Sequence, residues 1–441
     1  MACAVFDLGK STMRLTVVLE DESAAFQTRA ATPEPLNGPY RALDLSTIEA
    51  WLLSALKQAA ATTAVRDIIV TAHGAAIAAI DPHGQLSAPV MDYEWDAAEA
   101  APAYDDTRPS FAETGSPRLP LGLNLGRQLA VMDDGFPAEA TFLPLPQYIA
   151  FLLSGERSSE ISSLGCHTDL WAPYQRRWSS LSARRGWAER FAPRIEAQET
   201  LGRVRTEVVA ATGLDPRCRV RCGAHDSNAA LVPYLDQDTA VLSTGTWFIA
   251  MVPGGSGEGL DEERDCLVGC DVTGRPVPTA RFMGGREYAL AAGAKPHTST
   301  WDDVERVLGS NLFVLPSLTN SGGPFPDRKG DLTEEAAEAA DRAAAASLYT
   351  ALMAQTCLSL LPATEGITVE GPAATDIFCG CLAAFFPERS IERVEGGGAT
   401  YGAARLAMPG ITPPEAETVP PPPLSNEIRA YADRWQERLA G

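Results

Sequence analysis

The sequence predicts an α/β protein of two domains, and three observations predict it. The chain has 441 residues, more than a single core ordinarily holds. Residues 3–19 read as strand, tight turn, strand, and residues 239–252 repeat that plan, which suggests an internal pseudo-duplication. Around these units, apolar strand-like runs alternate with helical segments. The two domains are placed at 1–234 and 235–441.

The first element is the hairpin. Cys3–Leu8 and Met13–Leu19 read as strands joined at Gly9-Lys10-Ser11. Gly-Lys-Ser is also the tail of a P-loop, but with Gly9 as the second glycine the first would fall on Ala4, and a strand rather than a helix follows. The hairpin reading is preferred. It leaves Asp7 at the end of a strand beside a turn of small polar groups, and an ordinary edge hairpin would look the same. Residues 46–63 follow as an amphipathic helix with Ser46 as its cap. Ile68–Thr71 is a buried strand broken at His73-Gly74, and a second strand runs to the turn at Pro82-His83-Gly84. Asp92, Tyr93 and Glu94 sit just after a short apolar run, and residues 100–118 read as loop. Helices are expected over 122–132 and over 143–155, the latter stopped by Gly155. Residues 218–231 give strand, loop at Gly223-Ala224-His225-Asp226, and a helix from near Ser227. The second hairpin turns at Ser243-Thr244-Gly245-Thr246. Residues 333–362 are Ala-rich and helical, 368–372 form a strand ending at Gly371-Pro372, and 395–407 are a glycine-rich loop opening a helix. Four prolines at 420–423 stiffen the approach to a last helix at 425–439.

Composition excludes several classes. The net charge is −21, a field that repels nucleic acid, so no nucleic-acid partner is expected. No apolar run approaches the roughly 18 residues of a membrane span. Asp7 and Lys10 interrupt the apolar start, so no signal peptide is read and a cytoplasmic location is expected. The nine cysteines are expected as reduced thiols. Cys218/Cys222 and Cys266/Cys270 do not make a convincing zinc site, because the first pair lies along a strand with no turn between them.

Taken together, five segments resemble the FGGY carbohydrate kinases of the actin/sugar-kinase/Hsp70 superfamily, in order and over nearly the whole chain. DLGKSTMR (7–14) is similar to the first phosphate motif, CGAHDSNAAL (222–231) to the segment bearing the catalytic aspartate, and LSTGTW (242–247) to the second phosphate motif. VEGPAATDIFCGCLAAFF (369–386) and GGGATYGAARLA (396–407) are similar to the adenosine region. His225-Asp226, STGTW and the stretch SEISSLGCHTDLW (159–171) lean towards the rhamnulokinase and fuculokinase branch. Lys10 departs from the small or hydroxyl residue usual in the first turn. Glu370-Gly371-Pro372 replaces paired glycines near adenine, and LPSLTNSGGPFPDRKG (315–330) departs from the usual signature there.

The resemblance implies two ribonuclease-H-like (actin-like) lobes with a central interdomain cleft, and transfer of the ATP γ-phosphoryl group to a sugar hydroxyl. The first lobe is expected to bind the sugar and carry the first phosphate turn and the catalytic aspartate; the second is expected to bind nucleotide. It implies Asp226 as general base, a role worth about 10²–10⁴-fold, although an aspartate there equally caps the helix that follows. Asp7 is implied as a water-mediated Mg²⁺ contact. Gly9, Lys10 and Ser11 in one turn, and Thr244, Gly245 and Thr246 in the other, would face the phosphates of ATP. Gly371, Gly397 and Gly398 would let backbone approach adenosine. For the sugar, the candidates are His73, Asp92, Glu94, Asn124, Gln128 and His225, since a polyol needs several fixed donors and acceptors. The histidines equally suit packed, hydrogen-bonded roles, and the two acids equally suit a solvated loop. Arg281 and Arg286 read either as phosphate contacts or as interface braces. The acceptor implied is a ketose such as L-rhamnulose or L-fuculose. Other readings are a kinase for another ketopentose or a polyol, a catalytically silent sugar- or nucleotide-binding regulator, and a chaperone-type ATPase. Retention of Asp7 and Asp226 argues against the regulator, and the absence of a peptide-binding β-domain argues against the ATPase. A homodimer is left open.

Overall fold

The computed structural model describes residues 2–132, 135–293, 297–319, 322–334, 338–395, 398–411 and 415–440. The chain forms two compact units. The first is Met1–Leu235, Val268–Pro276 and Gly397–Pro413; the second is Asp236–Leu267, Val277–Gly396 and Pro414–Gly441. A single boundary at 234/235 would assign the two short segments to the second lobe. They join the first unit because Val268 N donates to Gly115 O at 2.8 Å and the helix Gly398–Ala407 packs on the helix Asp226–Ala230.

The strands of the first unit are β1 Ala2–Leu8, β2 Thr12–Leu19, β3 Ala24–Ala31, β4 Asp67–Ala72, β5 Ile77–Ile80, β6 Thr141–Pro144, β7 Trp171–Ala172, β8 Arg177–Trp178, β9 Thr200–Arg203, β10 Arg219–Arg221 and β11 Ala224–His225. Its main sheet has the order β3-β2-β1-β4-β10-β9, with β11 also on β4. Small sheets pair β5 with β6 and β7 with β8. In the second sheet the strands are β12 Thr239–Thr244, β13 Phe248–Met251, β14 Cys266–Cys270, β15 Pro276–Phe282, β16 Gly366–Glu370, β17 Ser390–Val394 and β18 Ala416–Thr418, in the order β14-β15-β13-β12-β16-β17-β18.

The two sheets share one plan. β3-β2-β1 is an antiparallel meander continued by parallel β4 and β10; β15-β13-β12 is a meander continued by parallel β16 and β17. The pseudo-duplication read from two hairpins thus extends to five strands. Strand alternation sets the layers of the first sheet. Ala4, Phe6 and Leu8 join one core with Leu52, Leu56 and Ile149, while Cys3 and Val5 join another with Ile69, Ala229, Ala403 and Ala404. Asp7 and Thr71 therefore belong to the second face. The core of the second unit gathers Leu242, Phe248, Ile367 and Val369 around the long helix Ala339–Ser359 and the helix Asp376–Phe385.

Local details correct some expectations. The helix Leu45–Thr62 is capped by Asp44, whose carboxylate accepts from Thr47 N; Ser46 Oγ instead donates to Asp44. The helix expected over 122–132 starts only at Leu125, and the Ala-rich helix covers Ala339–Ser359 rather than 333–362. β3 and the helix Trp301–Leu308 were not read from the sequence. All nine cysteines are free and buried, and among the described residues no group of three or more His, Cys, Asp or Glu is placed to hold a metal. No helix of the described residues is long and apolar enough to cross a membrane.

Candidate active site

In the first unit, register brings the expected residues together. Asp7 lies opposite Thr71 across the β1–β4 pair, and Thr71 lies opposite Ala224 across the β4–β11 pair. The C-terminal ends of three parallel strands thus deliver Asp7, His73 and His225-Asp226 to one edge. Gly223 makes this register achievable. Its φ is +79°, and a Cβ there would come within 2.1 Å of Val70 O, so only glycine fits.

The carboxyl of Asp7 accepts from Thr71 Oγ1 at 3.2 Å. Burial pushes it up to about 6, and the charge of Asp226 adds to the effect. Asp226 opens the short helix Asp226–Ala230, where His225 takes the cap position without a side-chain capping bond. Its Oδ1 accepts from Ser227 N at 2.6 Å and lies 3.3 Å from His225 Nε2. The same Nε2 lies 3.4 Å from Cys166 Sγ, while His225 Nδ1 is 2.9 Å from the Asn228 amide nitrogen. His225 N donates to Ser162 Oγ, which in turn donates to the buried Glu160. His73 is held through Nδ1 to Gly74 O at 2.9 Å and meets the Tyr93 ring edge-on; burial lowers its basicity.

Lys10 leaves its turn. Its ammonium pairs with Asp92, stands 3.4 Å from Glu94 Oε2 and lies 4.8 Å over the Tyr93 ring. Arg41 joins them, with Nε 2.9 Å from Asp92 Oδ2. The reason is that Asp92 is fully enclosed, and an enclosed carboxylate needs cationic partners. A candidate for the phosphates is therefore joined to two candidates for the sugar. Gly9 and Ser11 hold the turn through backbone bonds, with Gly9 N donating to Thr12 O and Ser11 O accepting from Thr32 N. Asn124 and Gln128 are also fully buried; backbone occupies the Asn124 amide and the Gln128 amide nitrogen, while Gln128 Oε1 has no hydrogen-bond partner among the described residues. Asn124 bonds Pro117 O and Leu119 N; Gln128 Nε2 bonds Ala75 O and Gly122 O. They shape the loop beside the site.

The second unit carries the other hairpin. Thr244 is buried and its hydroxyl is committed: it donates to Glu370 O at 2.6 Å and accepts from Ala373 N at 3.1 Å. This ties β12 to the turn after β16, where Gly371 has φ +95° and a Cβ would meet Thr244 O at 2.2 Å. Gly245 and Thr246 remain exposed at the tip. Gly285 N donates to Thr246 O, docking the helix Gly284–Ala292 against that tip. Arg281 bonds Asp265 at 3.0 Å and lies 4.9 Å over the Trp247 ring, so it braces this hairpin from within the second unit. Gly398 has φ +70° and opens a helix of the first unit, whereas Gly371 belongs to the second. Gly397 lies outside the described residues.

Four residues here were not singled out as site candidates: Thr71, Arg41, Glu160 and Cys166. Strand pairing was the one signal for Thr71, as the neighbour of Asp7. Glu160 and Cys166 lie in the stretch 159–171 that carries part of the family resemblance, which marks the segment and not these residues, and nothing local marks Arg41.

Residues 236–415 match the family model described as carbohydrate kinase FGGY, C-terminal domain. The crystal structure of a carbohydrate kinase from Novosphingobium aromaticivorans is similar at 38% identity and TM-score 0.91, over 100% of this chain and 98% of that one. A ligand-bound xylulose kinase from Lactobacillus acidophilus shares the fold at 14% identity and TM-score 0.82, over 99% of this chain and 97% of that one. So does the Plasmodium falciparum glycerol kinase with ADP, at 10% identity and TM-score 0.80, over 100% and 97%. No curated protein matches the sequence. On the full-length likeness at 38% identity, with the family match across its second half, the chain belongs to the FGGY family of ATP-dependent carbohydrate kinases.

Proposed function

We propose that the chain transfers the γ-phosphoryl group of ATP to a hydroxyl of a ketose, with Asp226 as general base. The observation that carries this reading is the shared strand edge: Asp7, His73, His225 and Asp226 converge there although 219 positions separate the first from the last (226 − 7). A base must reach the acceptor hydroxyl and keep a carboxylate oxygen for its proton. The named contacts of Asp226 fall on Oδ1, so Oδ2 is assigned to that proton. His73, Glu94 and the unpartnered Oε1 of Gln128 are assigned to the sugar; Asp92, taken up by Lys10 and Arg41, His225, with both ring nitrogens engaged, and Asn124 are assigned to the frame that supports them. Gly9 and Ser11 of the first turn and the exposed Gly245 and Thr246 of the second are assigned to the phosphates, and Gly371 and Gly398 to adenosine.

The donor set fits Mg²⁺. Asp7 is an oxygen donor whose carboxyl is raised by burial and by the nearby charge of Asp226, so a cation would relieve both carboxylates. Mg²⁺ ordinarily takes one or two carboxylates and completes its shell with water and phosphate oxygens. Asp7 would hold it through water, and when bound it would neutralise charge on the transferring phosphoryl group.

The finer acceptor reading is a ketose of the L-rhamnulose or L-fuculose type, supported by the segments around His225-Asp226 and 159–171. The deciding experiment is ADP release from Mg-ATP with L-rhamnulose, L-fuculose, ribulose, xylulose, gluconate and glycerol, beside Asp226→Asn. A sugar that raises turnover about tenfold or more, with that rise lost in the variant, supports the base and names the acceptor class. Near-normal turnover in Asp226→Asn sinks the base assignment. ATP binding without stimulation by any acceptor favours the silent regulator.

A further inference from the structure

We propose that Cys166 is a positioning residue for phosphoryl transfer: its sulfur and Asp226 Oδ1 share the single Nε2–H of His225, which fixes the ring beside Oδ1 and leaves Oδ2 for the acceptor hydroxyl. This rests on the reading of Asp226 as base. The geometry is a relay of three side chains. His225 Nε2 stands 3.4 Å from Cys166 Sγ and 3.3 Å from Asp226 Oδ1. The ring is held on its other sides as well, with its backbone N on Ser162 Oγ at 3.1 Å and its Nδ1 on Asn228 at 2.9 Å. Gly74 closes over the pair, since a Cβ there would come 3.0 Å from Nε2 and 3.2 Å from Sγ. Both partners of the contact are buried, and nothing in the transfer chemistry itself calls on the thiol.

The proton balance is simple. The Sγ–H bond breaks, the proton joins Nε2, and thiol plus imidazole become thiolate plus imidazolium. The imidazole that takes this proton already carries its own on Nδ1 and donates it to the Asn228 amide oxygen, which stands at the contact once the amide's oxygen and nitrogen are exchanged by half a turn. The charged groups facing the pair are Asp226 on the following helix, Glu160 and His167 on the segment that carries Cys166, His73 after β4, and Cys270. Burial pushes the Cys166 thiol up, and His167 and His225 outweigh it and bring it down. Burial pushes His225 down, and Cys166, Asp226 and Glu160 outweigh it and bring it up to about 9. A serine of similar volume keeps its proton at these pH values and cannot form the pair.

The test uses the full-length enzyme, its best acceptor and Cys166→Ser. In the wild type, kcat/KM should hold until the pH approaches about 9. In the variant the alkaline limb should move down by roughly two pH units, and kcat at pH 8 should fall about tenfold with KM for ATP unchanged, since an unsupported imidazolium titrates nearer the ordinary histidine range. Superimposable profiles would overturn the proposal. A second readout needs no turnover and no variant. Burial raises the other eight thiols, so the ultraviolet absorbance of thiolate at neutral pH belongs to Cys166. A thiolate signal at pH 7 supports the pair; a signal that first develops above pH 9 overturns it. Asp226→Asn separates the two readings: retained turnover there defeats the base assignment, whereas the thiolate titration judges the Cys166–His225 pair by itself.

Discussion

Asp7 shows how a functional carboxylate can weaken the fold that holds it. Its pKa rises from 3.8 to about 6, first through burial and then through Asp226. The sign follows from linkage. Below 3.8 the group is protonated in both the folded and the unfolded chain, and it costs nothing. As pH rises through about 6 the folded form must ionise a group that the unfolded form ionised earlier, so stability is lost across that window. The loss amounts to about 3 kcal/mol once ionisation is complete, as an order of magnitude. Asp7→Asn keeps an acceptor for Thr71 and removes the charge. In metal-free buffer at pH 8 the variant should therefore melt at a higher temperature than the wild type, and the gap should close as pH falls from 6 towards 4. A gap that is independent of pH would mean that the charge is not its source. Lys10 illustrates the opposite arrangement. Its cation is committed to the enclosed Asp92, and this explains why a lysine in a phosphate-like turn need not act on phosphate.

At the scale of elements, placement of Asp226 depends on how the helix Gly398–Ala407 meets the helix Asp226–Ala230. Gly402 is the contact: a Cβ there would stand 1.8 Å from Ala229 O, three residues beyond Asp226. Backbone cannot yield as a flexible side chain can, so Gly402→Ala must push one helix away from the other. The expected cost is about 1–3 kcal/mol, with turnover falling more than stability alone explains. Gly410→Ala is the control, because a Cβ there meets nothing within 4 Å, and it should stay within about 0.5 kcal/mol of the wild type. Equal melting temperatures for the two variants would show that the helices separate freely. Elements with a strong local signal were legible in the sequence: both hairpins, the helix from Leu45 and the helix stopped by Gly155, whose φ is +82°. β3 was not, because its residues alternate between exposed and half-exposed and no apolar face marks it. The start at Leu125 was misread because residues 122–124 form a turn in which Asn124 bonds Pro117 and Leu119.

At the scale of the molecule, legibility follows the same division between local and distant. The repeated hairpin announced two similar sheets because its signal lies within a few residues. The Cys166–His225 contact joins positions 59 apart, and the Lys10–Asp92 pair joins positions 82 apart, so neither leaves a trace in spacing. Net charge is the one global property that needs no structure, and it carries a prediction of its own. A kinase chain of charge −21 must bind ATP, itself an anion and still one as Mg-ATP. The long-range field opposes approach, while backbone N–H groups at the hairpin tips proposed for the phosphates would act only at contact. Salt shortens the reach of the field, to about 8 Å at physiological ionic strength, and leaves short contacts largely intact. The association rate of Mg-ATP, followed by stopped-flow, should therefore rise roughly two- to threefold from low to physiological ionic strength, with dissociation little changed. A falling association rate would mean that a local positive field at the nucleotide site outweighs the charge of the whole chain, and would direct attention to cations near the second hairpin, Arg286 among them.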